Sequence, residues 1–221
     1  MSNQAKTFAI IGMGRFGASV AQTLCTLGHE VLAVDRDEGR IAAIADHVTH
    51  AIVADTTDER TLKRIGIRNF DCVVISVGDD IRTSILTTVL VKEQGASLVI
   101  AKASDRLHAR LLEKTGADKV VLPEHEAGVR LARSLVSGSI IDYLDLSDKY
   151  SINETLIPAP WVGKTLVDIN VRNRFGVSVI AIRRGEQIIV TLDPKAPLHA
   201  GDVLVMIGSN EALTRIGHGD V

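Results

Sequence analysis

Over the first 123 positions the apolar residues follow two alternating patterns. Short β-branched runs predict strands at Phe8–Ile11, Val31–Val34, Ala51–Val53, Cys72–Ser76, Leu98–Ala101 and Lys119–Leu122. Between them, apolar residues recur at helical spacing and predict helices at Gly17–Leu27, Glu38–Ala45, Glu59–Ile65, Ile81–Glu93 and Leu107–Thr115. Gly28, Gly66, Gly95 and Gly116 each follow one of these helices, where a left-handed residue ends a helix. The run CVVIS is apolar on both faces, as expected of a strand covered by helices on each side of a parallel sheet. Six strands in strict β-α alternation predict an α/β, Rossmann-like doubly wound parallel sheet over residues 1–123.

The pattern changes after Pro123. EHEAGVRLARSLVS reads as one more amphipathic helix, ending in a hinge at Ser137–Gly138, so that 124–141 forms a linker. Residues 142–221 are β-rich, with YSINETLI, VSVIAIRR, EQIIVTL and DVLVMIG as strands and short helices near Val167–Asn170 and Glu211–Ile216. This predicts a second, small α+β domain.

Composition narrows the function classes. The 221 residues are 46% apolar and 24% charged, which suits a folded globular chain, and a net charge of −2 gives no electrostatic case for nucleic acid. No apolar run approaches the roughly 20 residues that span a bilayer, and the opening MSNQAK has no apolar signal region. A role at a membrane would therefore need another chain to supply the membrane part. Cys25 and Cys72 are far apart and read as reduced core residues of a cytosolic protein.

The candidate chemistry is at Gly12-Met13-Gly14-Arg15-Phe16-Gly17, a GxGxxG turn after a strand and before a helix. Gly12 permits the turn, Gly14 lets a phosphate approach the backbone, and Gly17 lets helix and strand pack closely. The helix N-terminus offers free N–H groups and a positive dipole end to an anion. Asp35 ends the second strand 21 residues after Gly14, where a carboxylate can accept ribose hydroxyls; Arg36 and Asp37 follow it. Asp35 disfavours a 2′-phosphate, although Arg36 weakens that argument. Asp55-Thr56, Val77-Gly78-Asp79 and Lys102-Ala103-Ser104 follow later strands at the same sheet edge, and His108 opens the next helix. Each of these alone could be a cap or a loop residue, as Asp58 is expected to be. The acids of Glu124-His125-Glu126 suit a helix first turn; the alternative is that Glu124 ligates a divalent cation near the phosphates.

A dehydrogenase would also need a group that moves a proton. His199 and His218 lie in a turn and in the tail, and no nucleophile motif is present. The residues therefore favour a nucleotide used as a ligand, with an NAD(H)-binding oxidoreductase or redox sensor as the alternative.

The runs FAIIGMGRFG, GHEVLAVD, GIRNFDCVVISVG, LLEKTGADKVVLPE and DLSDKYSI resemble the KtrA/TrkA family, cytosolic regulators of bacterial potassium transport built from RCK domains. The resemblance covers almost the whole chain and is closest to members with a single RCK unit. It implies dimers that assemble into an octameric ring beneath a dimeric membrane transporter such as KtrB, active with ATP and inactive with ADP. It implies that Arg15 reaches the terminal phosphate in a neighbouring subunit, that Asp35 contacts ribose, and that Glu124 helps bind a divalent cation or sodium between subunits. It also places Asp55, Gly78, Lys102 and His108 against nucleotide. DINVRNRFGVSVIAIRRG matches the region where the family binds cyclic di-AMP, which points to Asn170 and Arg172, with Ile169 on an apolar wall.

Overall fold

The computed structural model of the protein describes residues 5–78, 80–136, 140–147 and 149–217; Asp79, the expected hinge at Ser137–Gly138, and His218 lie outside them. The chain divides into two compact units, residues 1–125 and 126–221.

The first unit alternates β1 (Thr7–Ile11), α1 (Arg15–Thr26), β2 (Glu30–Asp35), α2 (Glu38–Ile44), β3 (His50–Val53), α3 (Glu59–Ile65), β4 (Cys72–Ile75), α4 (Ile81–Glu93), β5 (Val99–Lys102), α5 (Arg106–Lys114) and β6 (Lys119–Val121), and α6 (Pro123–Val136) follows. The six strands form one sheet in the order β3-β2-β1-β4-β5-β6, the doubly wound order. All its pairs are parallel, with Ile10 opposite Val74 and Ile11 opposite Ile75. Side chains alternate across a strand, so each residue pair feeds a different core. Ile11, Val34 and Ile75 pack with Leu62 and Leu112 on one face, while Ile10, Ala33 and Val74 pack with Ile41 on the other. Cys72 is buried in the second of these clusters, and Cys25 is half-buried.

The helix starts follow from local chemistry. Asp37, Asp58, Asp80 and Asp105 cap α2, α3, α4 and α5, each carboxylate accepting from a backbone N–H of the first turn. Asp58 is thus the N-cap the sequence suggested. Helix α1 begins at Arg15 rather than Gly17, because the extended Gly14 already serves as its N-cap.

The second unit is a five-stranded antiparallel sheet in the order β10-β9-β11-β8-β7. Its elements are β7 (Ile140–Asp145), β8 (Tyr150–Leu156), α7 (Leu166–Ile169), α8 (Val171–Phe175), β9 (Ser178–Arg184), β10 (Gln187–Ile189), β11 (Val203–Ser209) and α9 (Asn210–Gly217). Leu204, Met206 and Ile182 face a core completed by Trp161, Ile169 and Leu213. Two elements differ from expectation. Strand β7 starts at Ile140, inside the stretch read as linker, and Val171–Phe175 forms a helix that the sequence did not suggest. The break before that helix is Asn170, whose left-handed φ of 52° ends α7 and lets a new helix start.

Candidate functional site

A cavity of about 650 Å³ opens at the C-terminal edge of the parallel sheet, within the first unit. It lies where strand order reverses between β1 and β4, the place where open α/β sheets take ligands. Its size falls within the range of small-molecule sites.

The floor is the glycine turn. Gly12 has φ of +94° and its N–H donates to the Val34 carbonyl, which anchors the turn to the neighbouring strand. A Cβ on Gly17 would overlap the Gly12 carbonyl oxygen and the Ser76 hydroxyl. Ser76 donates to that same carbonyl, so β4, β1 and α1 meet around one oxygen. Gly14 differs: a Cβ there would meet no protein atom within 4 Å, and its backbone is ordinary extended. The fold's own packing does not require glycine at position 14, and the space above it is open. Of α1 to α5, only α1 has no side-chain cap and no acid in its first turn. Its first N–H groups face the cavity without a carboxylate of their own.

Asp35 is 8% exposed at the end of β2. Its Oδ2 accepts the Met13 N–H at 2.6 Å and its Oδ1 accepts the Asp37 N–H at 2.9 Å. A carboxylate offers about four acceptor positions, which leaves room for ribose hydroxyls. Arg40 Nη1 stands 3.6 Å from Asp35 Oδ2. On the far side of the switch point, Lys102 Nζ lies 2.6 Å from Glu124 Oε1 and 6.0 Å above the Phe16 ring. Asp35 and Lys102 are three strand spacings apart, about 14 Å. That span separates an end suited to a ribose from an end suited to phosphate.

The charges of the cavity are unevenly committed. The carboxylates are held by their own chain. Thr57 hydrogen bonds keep the Asp55 carboxyl below its ordinary range, Thr83 bonds do the same for Asp80, and the Lys102 ammonium does so for Glu124. Arg15 and Arg36 are exposed and form no ion pair with a described residue. A cavity whose acids are held and where Arg15 and Arg36 have no ion-pair partner among the described residues is suited to an anion.

Of the residues singled out in the sequence, Gly12, Met13, Gly14, Arg15, Phe16, Asp35, Arg36, Asp55, Thr56, Val77, Gly78, Lys102 and Glu124 line this cavity. Gly17 lies beneath it. Asp37 caps α2, Ala103 is buried, and Ser104 sits outside the lining. His108 is fully buried; its Nδ1 meets the Ser104 N–H at 3.2 Å, and desolvation lowers its pKa. Sequence reasoning missed Arg40, Thr57, Ser76, Asp80 and Thr83, which complete the wall. Among the described residues no group of three or more His, Cys, Asp or Glu side chains converges on a point. Glu124 is already held by a lysine.

In the second unit, Asn170 and Arg172 are exposed beside the α7–α8 turn. Ile169 is 2% exposed and belongs to the core. Asn170 Oδ1 accepts from Asn173 Nδ2 at 2.8 Å. Among the described residues no helix is long and apolar enough to cross a membrane.

Comparison with known proteins agrees with this architecture. Residues 8–123 match the TrkA-N domain family and residues 155–217 match the TrkA-C domain family. The chain is 40% identical over 210 residues to the Ktr system potassium uptake protein C of Bacillus subtilis, covering 95% of each protein. It is 37% identical over 213 residues to the Ktr system potassium uptake protein A of Vibrio alginolyticus, covering 96% of this chain and 97% of that one. The RCK domain of GsuK superposes with a TM-score of 0.66 at 18% identity, over 99% of this chain and 48% of that one. The GsuK channel bound to NAD gives a TM-score of 0.66 at 18% identity, over 96% of this chain and 39% of that one.

Proposed function

This chain belongs to the KtrA/TrkA family of potassium uptake proteins, and from that premise we propose that it is a regulatory subunit whose switch ligand is an adenine nucleotide, with ATP favouring the active state and ADP the inactive one. The observation that carries this reading is helix α1, which has no side-chain cap, opening onto a cavity where Arg15 and Arg36 form no ion pair with a described residue. Asp35 accepts the ribose hydroxyls, the α1 N–H groups take the phosphates next to the ribose, and Arg15 is directed to the terminal phosphate. A ligand switches a protein only through its different affinity for two states. ATP and ADP differ at the terminal phosphate, so discrimination falls to a cation placed there. If that phosphate belongs to the nucleotide of a neighbouring subunit, Arg15 ties occupancy to the geometry of a ring.

The partner in this reading is a dimeric, KtrB-like membrane subunit, with this chain at the inner face of the cell membrane as a dimer or octameric ring. Cyclic di-AMP is the proposed second ligand, at the exposed Asn170 and Arg172 of the second unit. A cation is the proposed ligand of Glu124, with further carboxylates supplied by a second copy. In this reading the nucleotide acts as effector rather than substrate.

A thermal-shift screen with ATP, ADP, NAD, NADH and cyclic di-AMP tests the ligand assignment. NAD and NADH belong in it because the GsuK channel, which shares the fold, binds NAD. Stabilisation by ATP and ADP is expected. A large NADH shift with none from ATP or ADP would replace the effector reading with the oxidoreductase or redox-sensor alternative.

A further inference from the structure

Lys102 is the last residue of β5 and its side chain is 14% exposed, whereas Glu124, the second residue of α6, is 67% exposed. Strand β5 pairs with β6, Lys102 standing opposite Val121, so the start of α6 comes directly over the lysine. The ammonium is confined by Phe16 on one side and by Gly78 on the other; a Cβ on Gly78 would stand 3.3 Å from Nζ. Its single polar contact among the described residues is Glu124 Oε1, at 2.6 Å. An ammonium has three N–H groups, so two remain for the cavity that Lys102 lines. The cation is thus fixed and shielded, and its counter-ion is the exposed, movable partner.

We propose that Lys102 is an exchange point: a phosphate entering the cavity takes the ammonium from Glu124, and the freed carboxylate reports ligand occupancy at the first turn of α6. The inference rests on the nucleotide reading given above and adds how the site is coupled to the helix that leads into the second unit. The exchange is physically cheap. An ion pair with a largely exposed carboxylate is weak, whereas a phosphate carries more charge and more acceptor oxygens to the same shielded ammonium. Glu124 therefore acts as a built-in competitor, occupying the phosphate-binding lysine until a ligand displaces it. Because the competition runs through Lys102, removing the carboxylate helps a ligand only while the lysine is present.

The test is a double-mutant cycle read by calorimetry on the full chain, in chelator-containing buffer, with ADP, ATP and adenosine as probes. E124Q is expected to tighten ADP and ATP by up to about five-fold, the range set by an exposed pair, and to leave adenosine unchanged. In a K102Q background E124Q is expected to change ADP affinity by less than about two-fold. In a K102R background, which keeps the cation, the gain from E124Q is expected to persist. An equal gain in the K102Q background would mean that Glu124 repels phosphate directly, and would overturn the exchange. No gain in the wild-type background would overturn it as well. Either failure leaves the nucleotide assignment standing, provided that the wild-type chain binds ADP or ATP. A wild-type chain that binds neither overturns that assignment and the exchange together.

Discussion

The last two glycines of the turn, Gly14 and Gly17, should fail in different ways when replaced by alanine, and the structure sets the size of each failure. In Gly17→Ala the new methyl overlaps the Gly12 carbonyl oxygen and the Ser76 hydroxyl. Both belong to sheet strands or their ends, so the neighbours cannot swing away. Overpacking of this kind costs about 1–3 kcal/mol, and losing the Ser76-to-Gly12 hydrogen bond costs about 1 kcal/mol more. Alanine is better than glycine inside a helix by about 0.8–1 kcal/mol, which offsets part of this. The net is about 2 kcal/mol, or a fall in Tm of about 6 °C for a chain of this size. In Gly14→Ala the methyl meets nothing within 4 Å. Its poorer N-capping, about 0.5–1 kcal/mol, is balanced by a similar gain from a less flexible unfolded chain. Stability should stay within about 0.5 kcal/mol of wild type. The methyl does occupy the approach to the α1 N–H groups, so the stabilisation by ADP should disappear. At a ligand concentration of 100 Kd that stabilisation is about 2.7 kcal/mol, well within reach of thermal unfolding. Both variants are melted with and without ADP. The reasoning is refuted if Gly14→Ala melts as low as Gly17→Ala without ligand, or if it keeps the full ADP shift.

Two further perturbations probe other parts of the molecule. Arg15→Ala should keep its affinity for ADP while its affinity for ATP falls toward the same value; an ATP/ADP ratio equal to wild type, measured by calorimetry, contradicts the role given to Arg15. In the second unit, Asp202 is 1% exposed and receives two 2.8 Å hydrogen bonds from Arg184 and one of 2.8 Å from the His199 N–H. The Arg184 bonds, with smaller help from the His199 N–H, hold its carboxyl below the ordinary range despite burial. A depressed carboxyl contributes stability above its unfolded value, near pH 4, and loses it as pH falls through the folded value. Asp202→Asn should therefore be less stable than wild type at pH 7 in urea unfolding, with the gap closing below about pH 4; a gap that stays constant to pH 2 contradicts this.

What could be read from the sequence was what short-range chemistry decides. The strands and helices of the first unit follow from apolar spacing and aspartate caps, and the glycine turn with Asp35 marks the proposed nucleotide edge within one βαβ unit. Residues brought in from other elements were harder to see. Arg40 reaches Asp35 only because α2 turns its first face back toward the end of β2. Asp80 and Thr83 join the wall only because β4 lies beside β1. The Lys102–Glu124 pair needs the β5–β6 register, in which Lys102 meets Val121 three residues before Glu124. His108 shares a helix face with Leu112, a spacing that places both under the sheet, and that periodicity was visible in the chain. In the second unit the left-handed Asn170 ends the expected short helix, and a second helix follows it directly. Asparagine tolerates that conformation without announcing it, so the second helix was not legible.

The central claim is that nucleotide identity at this cavity sets transport by a membrane partner. The most direct measurement is potassium flux into liposomes that hold a KtrB-like dimeric subunit with this chain added, compared between ATP and ADP. The account predicts fast flux with ATP, slow flux with ADP, and loss of that difference in Arg15→Ala. Equal flux with both nucleotides through an assembled complex of the wild-type chain would contradict it.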